Sequence, residues 1–277
     1  MPRSAAEHIW YSLPPLEADA ATQMALDAVL LARCERRPGL AYLRFYRMVP
    51  PAVTIGRHQR WRHVIDPEAC AAHGWDWVRR PTGGGALLHR DEINYAVVGG
   101  RRVIAASPSV GFRAIFTRII RALASGAEEL GLNPELPARH DGASDTRTGR
   151  QHGLCGRSLT RHELGLGGGK LVAAAQLLEP SAVLQHGTIY QRAPDPDDRF
   201  WPLGPNGLAE ESREQRWVDL GVNHRSTSWV ELAAVLQRGF QKAFAVDLDT
   251  SEPGSDVMHE VGGQVAAWQR TGWHRRC

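Results

Sequence analysis

A helical period at residues 22–36, TQMALDAVLLARCER, gives way within four residues to two short strand-like runs, LAYLRFYR (40–47) and PAVTIG (51–56). Met24, Ala28, Leu31 and Ala32 mark the apolar face of the helix, and Pro50-Pro51 sets a turn between the strands. The same change of period recurs along the chain. DPEACAAHG (66–74) opens on an Asp cap, carries proline in its first turn and stops at glycine, which predicts a short helix. WDWVRRP, GALLH and INYAVV then read as strands, and SVGFRAIFTRIIRALASGAEELGL (109–132) as a long amphipathic helix ended by Gly131. Residues 133–152 are polar, with glycine and proline, and predict a surface loop or lid. Strands resume with TRHELGLG, KLVAAAQLL and AVLQHGTIY. A Pro-rich segment at 193–227 carries a further helix near GLAEESREQRWVDLG, and two more helices are predicted at 226–246 and 254–270. This order predicts one α/β (α+β) domain over 1–277, a mixed sheet flanked by helices, with a helical C-terminal part from about 205 to 277.

Of the 277 residues, 43% are hydrophobic and 23% charged, enough to build a core without disulfides or a structural metal. The net charge of +3 is too small to point to nucleic acid, and acidic protein partners fit it as well. No basic-then-apolar leader opens the chain, and no run approaches 18 apolar residues, so a cytosolic protein with no membrane partner is expected. Cys34, Cys70, Cys155 and Cys277 form no C-x-x-C pair, which argues for free thiols rather than a metal cluster.

Three stretches can carry chemistry. In RRPTGGGALLHRDEINYAVV (79–98), Gly83, Gly84 and Gly85 stand between strand-like runs, with Arg79 and Arg80 before them and His89 after. Such a turn lets backbone N–H groups approach a ligand, although a plain hairpin would use the same residues. It has neither the Walker A nor the dinucleotide-binding spacing. In GGGKLVAAAQ (167–176), Lys170 is one of only two lysines in a chain that otherwise writes arginine, which suggests a need for a compact ammonium. In GLCGRSLTRHEL (153–164), Cys155 sits between glycines 15 residues before Lys170, whereas Cys34 and Cys70 lie in helices. A hairpin over that gap would let Cys155 and Lys170 face one another, with Cys155 the candidate nucleophile.

With these stretches in view, the chain resembles the biotin/lipoate protein ligase and lipoyl transferase family. The resemblance rests on RRPTGGGALLHRDEINY, on GGKLVAAAQLLEPSAVLQHGTI, and upstream on LRFYRMVPPAVTIGRHQ and ADAATQMALDAVLL. It runs from about residue 10 to 190 and is closest to the family's cysteine-dependent octanoyltransferases, because CGRSLTRHELGLGGGK places Cys155 on their nucleophile and Lys170 on their lysine. Two departures stand out. Ala173-Ala174-Ala175 replaces the usual Gly-Ser-Ala, and Gly85 takes the place of an arginine common in the cysteine transferases.

The resemblance implies a biotin/lipoate ligase-like catalytic domain in which Cys155 and Lys170 are catalytic. Arg80, Gly83, Gly84, Gly85, Ala86, Leu87, Leu88 and His89 would bind substrate, with Leu87, Leu88 and Val172 beside the alkyl chain. It implies transfer of octanoyl from octanoyl-acyl carrier protein, through a Cys155 thioester, to a lysine of a glycine cleavage H protein or an E2 lipoyl domain, with no cofactor and no metal. Three alternatives remain open. An ATP- and magnesium-dependent lipoate ligase would hold an adenylate on Arg80, the turn and Lys170. An amidotransferase would take the acyl group from acylated H protein. A lipoyl-carrier binding protein would keep the site without catalysis.

Overall fold

The computed structural model describes residues 8–105, 111–136, 164–167, 169–190, 228–251 and 255–269. Helix α1 (Ala20–Arg36) starts just ahead of the predicted run, because the Asp19 carboxylate accepts the Thr22 N–H at 2.6 Å. Strands β3 (Leu40–Met48), β7 (Ile93–Gly100), β10 (Ala182–Ile189) and β9 (Gly169–Leu178) lie side by side, each antiparallel to the next. Strand β8 (Leu164–Leu166) pairs antiparallel with β9, while β1 (Ile9–Ser12) and β2 (Leu16–Ala18) run parallel to β3. Among the described residues these seven strands form one mixed sheet, the architecture predicted from the order of periods. A second sheet has β4 (Ala52–Ile55) between β5 (Asp76–Arg79) and β6 (Leu87–His89). The short helix α2 (Pro67–Ala72) joins β4 to β5, with Asp66 at its cap as expected.

Alternating residues of the large sheet feed two cores. Leu43, Phe45, Tyr95, Val97 and Val183 pack against helices α4 (Phe112–Glu129) and α5 (Trp229–Phe244). Tyr42, Tyr46, Val98 and Leu184 pack against α1 and α6 (Ser255–Gln269). α4 and α5 touch through glycine, since a Cβ on Gly239 would lie 2.2 Å from the Gly126 nitrogen. Ser228 and Glu231 close a capping box that starts α5. No helix among the described residues is long and apolar enough to cross a membrane.

β1, β2 and the five-residue helix α3 (Arg101–Ala105) were not expected from the sequence. The 3–4-residue strands are too short to show a period and gain their identity from pairing with β3. Residues 137–163 and 191–227 lie outside the described residues, and with them most of the predicted loop, Cys155 and the helix near 207–221.

Candidate active site

The glycine turn lies where the two sheets meet, and Arg80 holds its shape. This guanidinium is buried and donates Nη2 to the carbonyls of Gly83 at 2.7 Å and Gly85 at 2.6 Å. It also donates Nη1 to the Thr54 carbonyl and Nε to the Thr82 hydroxyl, both at 3.1 Å. In a trans peptide the N–H points opposite to the C=O. Arg80 therefore draws two carbonyls toward itself and directs the N–H groups of Gly84 and Ala86 to the other side. Gly84 has φ +92°, a region that favours glycine. Gly56 presses on it from β4, for a Cβ there would stand 2.0 Å from the Gly84 oxygen.

Behind Arg80 runs a buried chain of hydrogen bonds that reaches helix α1. The Thr82 hydroxyl and His186 Nε2 are 2.6 Å apart, His186 Nδ1 lies 2.7 Å from Asp27 Oδ2, and Asp27 Oδ1 accepts from Arg44 Nε and Nη2 at 2.9 and 2.6 Å. Burial pushes the His186 imidazole below its ordinary value, more than the Asp27 carboxylate restores. The ring is therefore neutral near pH 7, donates from Nδ1 to Asp27 and accepts the Thr82 hydroxyl at Nε2. Burial would raise the Asp27 carboxyl, but Arg44 and His186 together outweigh it and hold it below the usual carboxylate range.

A second chain fixes His89. Its Nδ1 lies 2.9 Å from both Glu92 Oε1 and Asn94 Oδ1, and its Nε2 lies 2.9 Å from the Thr54 hydroxyl. Two acceptors at Nδ1 call for a proton there, and Nε2 shares its hydrogen bond with the Thr54 hydroxyl. The Thr188 hydroxyl donates to Asn94 at 2.8 Å. Burial opposes ionisation of Glu92, yet the hydrogen bonds from His89 and from the Arg90 amide hold its carboxyl below the usual range.

Thr54, Arg80, His89, Asn94, His186 and Thr188 line a narrow cleft whose other walls are Met24, Tyr46, Met48, Leu87, Ala175 and Gly187. Of the residues singled out from sequence, the cleft brings together Arg80, Leu87 and His89. Gly83 and Gly85 join through the Arg80 bonds. Leu88 points the other way, onto Val53, Ile55 and Ala86, as the strand alternation of Leu87 and Leu88 requires. Val172 packs in the core under α4 and α5, away from the cleft wall expected for it. Lys170 is the second residue of β9, opposite Gly165, and only 4% exposed. That burial sets it apart from a surface lysine.

Cys34 and Cys70 are fully buried in α1 and α2, and burial pushes their thiols up to about 12 and about 11. Neither is a nucleophile near neutral pH. Cys155 and Cys277 lie outside the described residues. Among the described residues no group of three His, Cys, Asp or Glu side chains could hold a metal ion.

Sequence reasoning quoted Asp27, Arg44, Thr54, Thr82, Glu92, Asn94, His186 and Thr188 only inside motifs and gave none of them a role. One signal was present. Gln23 and Asp27 stand four residues apart on the same helix face as Met24 and Leu30, and two polar groups on a buried stripe demand a buried partner. Arg44 is that partner, bonding Gln23 Oε1 at 2.6 Å as well as Asp27.

Residues 19–194 match the family model described as the lipoyl protein ligase A/B catalytic domain. The chain is 36% identical over 180 residues to an octanoyltransferase LipM of Moorella thermoacetica, a stretch that spans 65% of this chain and 64% of that relative. It is 27% identical to an octanoyltransferase LipM of Kyrpidia tusciae, over 96% of this chain and 98% of the relative. Among solved structures, a bi-partite lipoate protein ligase from Thermoplasma acidophilum, described with its E2 lipoyl domain, superposes with a TM-score of 0.74. It covers 97% of both chains at 20% identity, a likeness of fold alone.

Proposed function

Since the chain belongs to the lipoyl protein ligase A/B catalytic-domain family, we propose that it is an octanoyltransferase of lipoate biosynthesis. It takes octanoyl from acyl carrier protein through a thioester on Cys155 to a lysine of a lipoyl-accepting protein. The observation that carries this reading is the end-to-end alignment with an octanoyltransferase of nearly the same length, 96% of this chain against 98% of the relative.

The octanoyl chain lies in the cleft against Met24, Met48 and Leu87. The Cys155 thiolate attacks the thioester carbonyl, a new C–S bond forms at Cys155, and the carrier leaves as its thiol. The acceptor lysine, as free amine, then attacks the acyl-cysteine; a C–N bond forms, the Cys155 sulfur departs, and the proton lost by nitrogen restores a thiol. An ordinary cysteine is mostly protonated at neutral pH, and the Lys170 ammonium stabilises its thiolate. The N–H groups of Gly84 and Ala86, directed away from Arg80, receive the oxyanion that develops at the carbonyl. Thioester to amide is downhill, so the reaction draws on no nucleotide and no metal. The acceptor is a glycine cleavage H protein or an E2 lipoyl domain, and the setting is the cytosol.

Gly85 favours a second reading, an ATP-dependent lipoate ligase, because it is glycine where the cysteine transferases commonly carry arginine. Incubation with octanoyl-carrier protein and intact-mass measurement separates the two. An octanoyl adduct that maps to Cys155 supports the relay; no adduct, with lipoylation from free lipoate and ATP, supports the ligase.

A further inference from the structure

We infer that the loop at residues 57–63 docks the acidic face of the carrier domain that brings the acyl group, an inference that rests on the transfer reading above. In RHQRWRH the side chains of Arg57, His58, Arg60, Arg62 and His63 are exposed, and residues 56–65 hold no Asp or Glu. Among the described residues no carboxylate pairs with Arg57, Arg60 or Arg62, and Arg62 instead lies over the Trp61 ring at 5.1 Å. Arg33 and Arg36, by contrast, meet Glu260, and Arg238 meets Glu129, while the exposed Arg37, Arg102, Arg113 and Arg121 meet no carboxylate among the described residues, so it is the loop's order and place rather than its charge alone that set it apart.

An unmatched cationic loop is ordinarily a solvated one, but this loop is fixed from beneath. Arg79, 1% exposed, donates Nη1 to the carbonyls of Gly56, Arg57 and Gln59 at 2.9, 3.0 and 2.7 Å. The Gln59 side chain accepts the Gly56 N–H at 2.9 Å, and Trp61 stacks on Trp77 with ring centroids 5.8 Å apart. The backbone that presents the three guanidiniums is thus ordered before any partner arrives, which lowers the entropic cost of association. The loop is also tied to the site. The Arg57 N–H donates to the Thr82 carbonyl at 2.8 Å, and Gly56 presses on Gly84. A carrier whose acyl arm reaches the cleft rests its body against this rim. Three unmatched positive charges there select an acidic face and speed encounter.

The test compares the unaltered chain with R57E/R60E/R62E on two octanoyl thioesters, one on carrier protein and one on free pantetheine. The expected result is a loss of about tenfold or more in kcat/KM on the carrier, a change within about twofold on the small thioester, and a weakened salt dependence on the carrier. Equal losses on both donors, or none on the carrier, overturn the docking surface. Carrier binding is read in parallel by fluorescence anisotropy. If the unaltered chain transfers nothing from the carrier, the function reading fails, and anisotropy alone decides the docking surface: weaker binding by the triple variant upholds it, and equal binding overturns it.

Discussion

His186 Nδ1 donates to Asp27 Oδ2 at 2.7 Å across 159 residues of sequence, and so joins the middle of β10 to the middle of α1. Because burial depresses the His186 pKa, the unfolded chain takes up this proton before the folded one does. The contribution of His186 is fully present above the ordinary value of 6.5 and is lost as pH falls below it. Asp27, whose carboxyl is also depressed, keeps its contribution through that window and loses it only in stronger acid. The unfolding temperature is therefore expected to drop between pH 7 and pH 5, and His186→Gln is expected to flatten that slope. Thermal melts at stepped pH check it.

Asp27→Asn removes the only charge that compensates Arg44 within this buried chain. A buried ion pair broken on one side costs about 3–5 kcal/mol. Urea unfolding of Asp27→Asn should show a loss of that order, and Arg44→Met added to it should recover part. A double variant no more stable than the single would place the cost elsewhere than in the orphaned guanidinium.

Gly56→Ala drives a methyl into the Gly84 carbonyl and so moves the turn that Arg80 shapes. Overpacking of this kind costs about 1–3 kcal/mol in stability. Acyl transfer should fall further than that loss explains at a temperature where the variant remains folded, with kcat reduced more than KM is raised. A stable variant with full kcat would detach the turn from the chemistry.

Much of the fold was legible because long elements carry their own period. Helices α1, α4 and α5 and strands β3, β7, β9 and β10 each run eight residues or more, and each was predicted close to its observed bounds. β1, β2 and α3 were not legible, since their form comes from neighbours. The glycine turn, Lys170 and His89 were legible as unusual residues, but not their roles in space: strand alternation sends Leu87 into the cleft and Leu88 out of it. The buried chain from Arg44 to Arg80 joins four separate segments, and no local pattern encodes such a pairing.

Lys170→Arg keeps the charge and loses the compact ammonium. Lys170 is 4% exposed, so a planar guanidinium must displace packed neighbours. Acyl transfer is expected to fall by at least about tenfold, and Lys170→Ala should slow alkylation of Cys155 at pH 7 by raising the thiol pKa. Unchanged alkylation in Lys170→Ala would remove Lys170 as the activator.

The relay through Cys155 is the centre of the account, and one assay reaches it directly. Octanoyl-carrier protein and an apo lipoyl domain are mixed with the chain, without nucleotide or magnesium, and the mass of the acceptor is followed. The account predicts octanoylation of the acceptor, an octanoyl adduct on Cys155 and none on the buried Cys34 or Cys70, and loss of both adduct and transfer in Cys155→Ala. Modification of the acceptor only from free lipoate and ATP, undiminished by Cys155→Ala, would contradict it.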